Sequence, residues 1–173
     1  MSKLFDLRNK NVLLTGASKG MGLAMAHGLV NHGANVVVSS RKLDQCEKAV
    51  EIINESIGKE KAFAFSCNAS SKDELNALVE FSLSKLGSIT TLVCNAGVNS
   101  FFGSMSEIDD ESYDKTMDTN VKSNHWLINM VTPSMKESGG GSIMITSSIA
   151  AFDASETLGT YSISKLAVLG LVR

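Results

Sequence analysis

Residues 11–30, Asn11-Val12-Leu13-Leu14-Thr15-Gly16-Ala17-Ser18-Lys19-Gly20-Met21-Gly22-Leu23-Ala24-Met25-Ala26-His27-Gly28-Leu29-Val30, put an apolar run, a glycine-rich loop and a helical pattern in succession. Strand, glycine loop, helix is the context a phosphate-binding turn requires. Gly16 lets the chain turn, Gly20 lets the backbone approach a pyrophosphate, and Gly22 lets the helix pack closely on the strand. The free N–H groups and positive dipole end of the helix face the same place. The spacing is G-x-x-x-G-x-G rather than the commoner G-x-G-x-x-G. In this context it predicts dinucleotide binding; alone it also fits a plain tight connection.

Working outward, Asn35-Val36-Val37-Val38-Ser39 reads as a second strand. A NAD-binding chain places an acid for the ribose 2′-hydroxyl about 20 residues past the glycines. Here the sequence is Ser39-Ser40-Arg41-Lys42, with no acid until Asp44. Arg41 offers a planar fork for a 2′-phosphate, and Lys19 adds a cation inside the loop. NADP(H) is therefore expected over NAD(H).

An amphipathic pattern from Leu43 to Ile57 leads to a third strand, Ala62-Phe63-Ala64-Phe65-Ser66-Cys67, followed by Asn68-Ala69. Ser71-Lys72-Asp73-Glu74 is a capping box opening a helix with Leu75, Leu78, Val79, Ser82 and Leu86 on one face. Thr91-Leu92-Val93-Cys94 is a fourth strand, ending in Asn95-Ala96-Gly97. Alternating strands and helices predict an α/β fold, a doubly wound parallel sheet with helices on both faces. Ligands in such sheets sit beyond the carboxyl ends of the strands. The glycine loop, Arg41, Asn68, Asn95 to Gly97 and Ser148 all lie at such ends. Asp109 or Asp110 caps a long helix reaching residue 138; Asn120 and Asn124 fall on or beside its apolar stripe, and Pro133 is a candidate kink.

Ser142-Ile143-Met144-Ile145-Thr146 reads as a buried strand with Ser147 and Ser148 at its end. Tyr161 and Lys165 stand four apart, so a helix stacks them on one face. A cation that close favours a phenolate, and such a tyrosine can exchange a proton with a substrate oxygen that a serine hydroxyl also holds. Read alone, the pair equally fits a core-packing tyrosine and a solvated lysine.

The chain has 173 residues, 43% hydrophobic and 20% charged, with net charge -2. This suits a single domain spanning residues 1–173 and gives no basic footprint for nucleic acid. No apolar run approaches the roughly 20 residues that span a bilayer, and the N-terminus has no apolar signal core. Cys46, Cys67 and Cys94 show no C-x-x-C, which predicts reduced thiols in a cytoplasmic setting. His27, His32 and His125 show no ligand spacing, so no metal is expected.

Taken together, Thr15 to Gly22, Asn95-Ala96-Gly97, Asn120, Ser148 and Tyr161-Ser162-Ile163-Ser164-Lys165 resemble the short-chain dehydrogenase/reductase family. The resemblance implies a Rossmann-like fold and an oxidoreductase moving hydride between NADP(H) and a carbonyl or secondary alcohol. It implies a catalytic set of Asn120, Ser148, Tyr161 and Lys165. The tyrosine is the acid/base, the serine orients the oxygen, the lysine favours the phenolate and holds the nicotinamide ribose, and the asparagine anchors a relay water. It places the cofactor against Gly16, Ser18, Lys19, Gly20, Met21, Gly22, Ser40, Arg41, Asn68, Ala69, Asn95, Ala96 and Gly97, together with Tyr161 and Lys165. The stretches 95–103 and 147–152 are similar to the NADP-dependent carbonyl and retinal reductase branch. Asn68 replaces an aspartate frequent in the family, and Cys94 an asparagine.

Family members continue past the tyrosine helix with further strands and a substrate loop, so this chain is expected to be an N-terminal piece of a longer protein. Strand 142–146 would then lie on an open edge. The resemblance also implies a homodimer or homotetramer of the complete protein, with Trp126 at its interface and a small carbonyl or alcohol as substrate. A 3-oxoacyl carrier-protein reductase and a non-catalytic NADP(H)-binding module are the alternatives.

Overall fold

The computed structural model describes residues 3–172. Met1, Ser2 and Arg173, on which the readings of the N-terminus and of the last position rest, lie outside the described residues. Five strands, β1 (Asn11–Thr15), β2 (Asn35–Ser40), β3 (Ala62–Ser66), β4 (Thr91–Cys94) and β5 (Ser142–Ile145), form one parallel sheet in the order β3-β2-β1-β4-β5. The helices are α1 (Gly20–Asn31), α2 (Leu43–Ile57), α3 (Lys72–Leu86), α4 (Asp110–Met117), α5 (Ser123–Glu137) and α6 (Gly159–Leu171).

The period-2 geometry of the strands explains the layering. Val12, Leu14, Val36 and Val38 face one side, where they pack with Ala26, Val30, Cys46, Ala49 and Ile53 of α1 and α2. Leu13, Val37, Leu92 and Cys94 face the other, with Leu75, Leu78 and Val79 of α3 and Leu127 and Val131 of α5. Val36, Val37 and Val38 have no exposure, the continuous apolar run of a strand covered on both faces.

The order matters for function because β1 has β2 on one side and β4 on the other. The order in which successive strands are laid down reverses there, with β2 and β3 added on one side and β4 and β5 on the other, opening a crevice beyond the carboxyl ends.

Three local expectations need correction. The strand at 142–145 is not buried: Ile143 is 36% and Met144 48% exposed, because β5 is an edge strand paired only with β4. Thr146 adds one further ladder bond, from its N–H to the Cys94 carbonyl. In the Ser71 box, Ser71 Oγ accepts from Glu74 N–H, but the Glu74 carboxylate reaches Asn68 N–H at 2.8 Å instead of Ser71. The helical pattern continues through Pro133, while the irregular turn lies upstream, a π-turn at Asp118–Lys122. Trp126 is half-buried against the core, with Lys122 Nζ 5.2 Å and Lys72 Nζ 5.9 Å from its ring centroid. Asp109 does cap α4, its carboxylate accepting from Ser112 N–H at 2.7 Å.

Candidate active site

The loop between β1 and α1 turns through two left-handed glycines, Gly16 at φ +64 and Gly20 at φ +56. At Gly22 the reason for glycine is contact: a Cβ there would overlap the Gly16 carbonyl oxygen and lie 2.8 Å from both Ala17 Cα and Asn95 Nδ2. Nothing lies within 4 Å of a Cβ added at Gly20, so that backbone is open on its outer side.

Asn95 joins three strand ends. Its N–H donates to Thr15 Oγ1 at 3.1 Å, its Nδ2 to the Gly16 carbonyl at 2.9 Å, and its Oδ1 accepts from Thr146 Oγ1 at 3.1 Å. Ala96 N–H also donates to Thr15 Oγ1. One amide thus ties the glycine loop to the ends of β4 and β5.

Above these ends lies a cleft of about 900 Å³, within the roughly 300–1,000 Å³ of small-molecule and cofactor sites. All thirteen residues from Gly16 to Gly97 expected against the cofactor line it, with Lys19 and Arg41 exposed at the rim. Sequence reasoning missed Lys42, Gln45, Ser70, Lys115 and Thr119, which also line it. Lys42 adjoins Arg41 and was legible as a third cation. Ser70 and Thr119 are 49 positions apart and meet only in the fold, their hydroxyls 2.7 Å from each other. Asn68 Oδ1 accepts from Ser70 N–H within its own turn.

Ser148, Tyr161, Lys165 and Asn120 do not line this cleft; Lys165 and Asn120 adjoin it at Gly97. A Cβ on Gly97 would stand 3.2 Å from Lys165 Nζ and 3.4 Å from Asn120 Oδ1, so a bare glycine makes room for both. Lys165 is 4% exposed, and burial lowers its pKa. Its ammonium donates to the Thr146 carbonyl at 2.8 Å and lies 5.6 Å from the Tyr161 ring centroid. Ser147 Oγ donates to the Lys165 carbonyl at 2.8 Å. Ser148 Oγ accepts from Ala150 N–H at 3.2 Å, which leaves its own proton available. Asn120 has no exposure; Oδ1 accepts from Val98 N–H, and Nδ2 donates to Val98 O and Ser164 Oγ. Its side chain is thus committed to protein partners, and Asn124 Nδ2 donates to its carbonyl at 2.7 Å.

Residues 10–173 match the short chain dehydrogenase family. This chain belongs to that family. The human Dehydrogenase/reductase SDR family member 4 is 39% identical over 174 residues, covering 100% of this chain and 62% of the relative. The chain thus spans about 62% of the length of the curated relatives it matches. Among solved structures, a 7 alpha-hydroxysteroid dehydrogenase complexed with NADH is 34% identical with a TM-score of 0.91, covering 96% of this chain and 64% of that one. An alcohol dehydrogenase from the archaeon Thermococcus sibiricus, complexed with 5-hydroxy-NADP, is 26% identical with a TM-score of 0.87, covering 95% and 68%. This short-chain dehydrogenase chain therefore has relatives bound to either type of nicotinamide cofactor.

Proposed function

We propose that residues 1–173 form one NADP(H)-binding and catalytic unit of a reductase of ketones or aldehydes, reversible as an alcohol dehydrogenase. The observation that carries the reading is the placement of Lys165: a buried ammonium, held by the Thr146 carbonyl and facing the Tyr161 ring, adjoining a cofactor-sized cleft at Gly97.

The residues fit NADP(H). The open backbone at Gly20 and the N-terminus of α1 suit a diphosphate, and Arg41, Lys19 and Lys42 suit a 2′-phosphate. When bound, the cofactor supplies or accepts hydride at the substrate carbon. The chain's own residues do the rest. Ser148 offers its hydroxyl proton to the substrate oxygen. Tyr161 gives that oxygen a proton in reduction and takes it back in oxidation. Lys165 sets a positive charge beside the Tyr161 ring and holds the nicotinamide ribose. Asn120 fixes Val98 and Ser164, and so acts on the site's framework through its side chain.

The loops flanking Ser148, residues 98–108 and 147–158, contain Glu107, Asp153 and Glu156 and no Lys or Arg. A mouth of that sign favours a neutral substrate over an acidic carrier protein. A non-catalytic NADP(H)-binding module is the second reading, since the cleft by itself is large enough for the cofactor. We further propose a cytoplasmic homodimer or homotetramer of the complete protein. Carbonyl-dependent oxidation of NADPH by that protein tests the main reading; tight NADPH binding with no turnover on any ketone or aldehyde overturns it in favour of the module.

A further inference from the structure

Ser164 precedes Lys165, has no solvent exposure, and stands outside the catalytic set proposed above. Its hydroxyl accepts from Asn120 Nδ2 at 2.9 Å and donates to the Tyr161 carbonyl at 2.7 Å. The donated bond alone is ordinary: Ser84 donates in the same way to Phe81 O at 2.8 Å on the solvent-facing side of α3. The bond accepted from Asn120 sets Ser164 apart. The same amide grips Val98 twice, at N–H and at carbonyl, each at 2.8 Å.

The turn carrying Tyr161 and Lys165 is thus held on two flanks. On the β5 flank Lys165 is fixed through Thr146 and Ser147. On the other flank the link runs from Val98 through Asn120 to Ser164. Without the Ser164 oxygen, one buried Nδ2 hydrogen loses its partner, and the Asn120 side chain is held by Val98 alone. The acceptor for Val98 N–H is then anchored to the Gly97–Val98 loop and no longer to α6, and the backbone at Gly97 that leaves room for Lys165 is held less firmly.

We propose that Ser164 is a positioning residue: by holding the Asn120 side chain, its hydroxyl locks the π-turn and the Gly97–Val98 loop to the turn of α6 bearing Tyr161 and Lys165. The catalytic consequence rests on the reductase reading; the lock itself does not. Reacting groups misplaced by a fraction of a bond length react more slowly even when binding is intact.

The test is amide hydrogen exchange at Val98, read by NMR in the full-length protein, for wild type, Ser164→Ala, Ser164→Cys and the control Ser84→Ala. Ser164→Ala is expected to speed exchange at Val98 about tenfold, the size of one lost buried hydrogen bond. Ser164→Cys gives a smaller increase, and Ser84→Ala none. The β1 and β2 amides of Leu13 and Val37 stay unchanged throughout. In steady-state assays Ser164→Ala lowers kcat about tenfold, with KM for NADPH held within about twofold. Unchanged exchange at Val98 in Ser164→Ala overturns the proposal, and so does a uniform acceleration across the sheet. If the wild-type protein reduces no carbonyl, the reductase reading falls while exchange at Val98 still decides the lock.

Discussion

The Lys165 ammonium lies 2.8 Å from the Thr146 carbonyl oxygen, so a helix cation is anchored on the residue that closes the ladder of the edge strand. This bond sets where the charge sits, and burial sets how much that charge costs. The pKa of Lys165 is lowered from 10.5. Between that lowered value and 10.5 the unfolded chain keeps a proton the native chain has released, so stability rises with pH across this window. Below the window both states are protonated and the native state carries the whole penalty of the buried charge. Lys165→Met removes the dependence: its stability difference from wild type shifts in favour of wild type as pH rises through the window, and turnover is lost. Urea melts from neutral pH to 10.5 check this; a difference that does not vary with pH contradicts it.

Tyr161→Phe keeps the ring that faces Lys165 and removes only the hydroxyl. Turnover is expected to vanish while NADPH affinity and melting temperature stay near wild type. A normal rate in the full-length variant would sink the proton-transfer role.

Arg41→Asp places an acid where the chain has none. One charged hydrogen bond is worth about 1.5–3 kcal/mol, so NADPH affinity should fall by about ten- to a hundredfold while NADH affinity rises. Titrating both cofactors decides it; unchanged NADPH affinity would show that the phosphate is read elsewhere.

Gly22→Ala inserts a Cβ against the Gly16 carbonyl, Ala17 and Asn95. The contacts are backbone and a bonded amide, which cannot swing aside. Overpacking of this kind destabilises by about 1–3 kcal/mol, and the glycine loop shifts with it. Thermal melts should show the loss, and NADPH affinity should drop in parallel. A variant that melts and binds like wild type would mean that α1 moves freely.

The thiols of Cys67 and Cys94 are pushed up to about 12 by burial. The thiolate is the reacting form, so neither should alkylate in the native protein at about pH 8. Both should react fully in denaturant. Rapid native labelling at either position, read by peptide mass, would contradict the burial.

The sheet was legible because its signals are local. Three valines between a helix stop and Ser39 form a buried strand wherever the helices lie. The glycine loop, the Asn95-Ala96-Gly97 turn and the Tyr161 to Lys165 spacing also read directly. The reading went wrong at Ile143 and Met144, because periodicity reports that a segment is apolar and not which neighbours cover it. It also placed the helix irregularity at Pro133, whereas the π-turn surrounds Asn120, whose buried amide reaches Val98 and Ser164 across the chain.

By itself the sequence determined the parallel α/β sheet, the glycine-rich turn and the cationic rim around Arg41, since strand periodicity, glycine conformation and charge act within a few residues. Only the tertiary structure decided what each polar group in the site is bonded to. It seated the Lys165 ammonium on Thr146, joined three strand ends through Asn95, and committed Asn120 to Val98 and Ser164. Those bonds join residues up to about eighty positions apart, and they form because buried donors and acceptors must find partners among whatever the packed layers bring near.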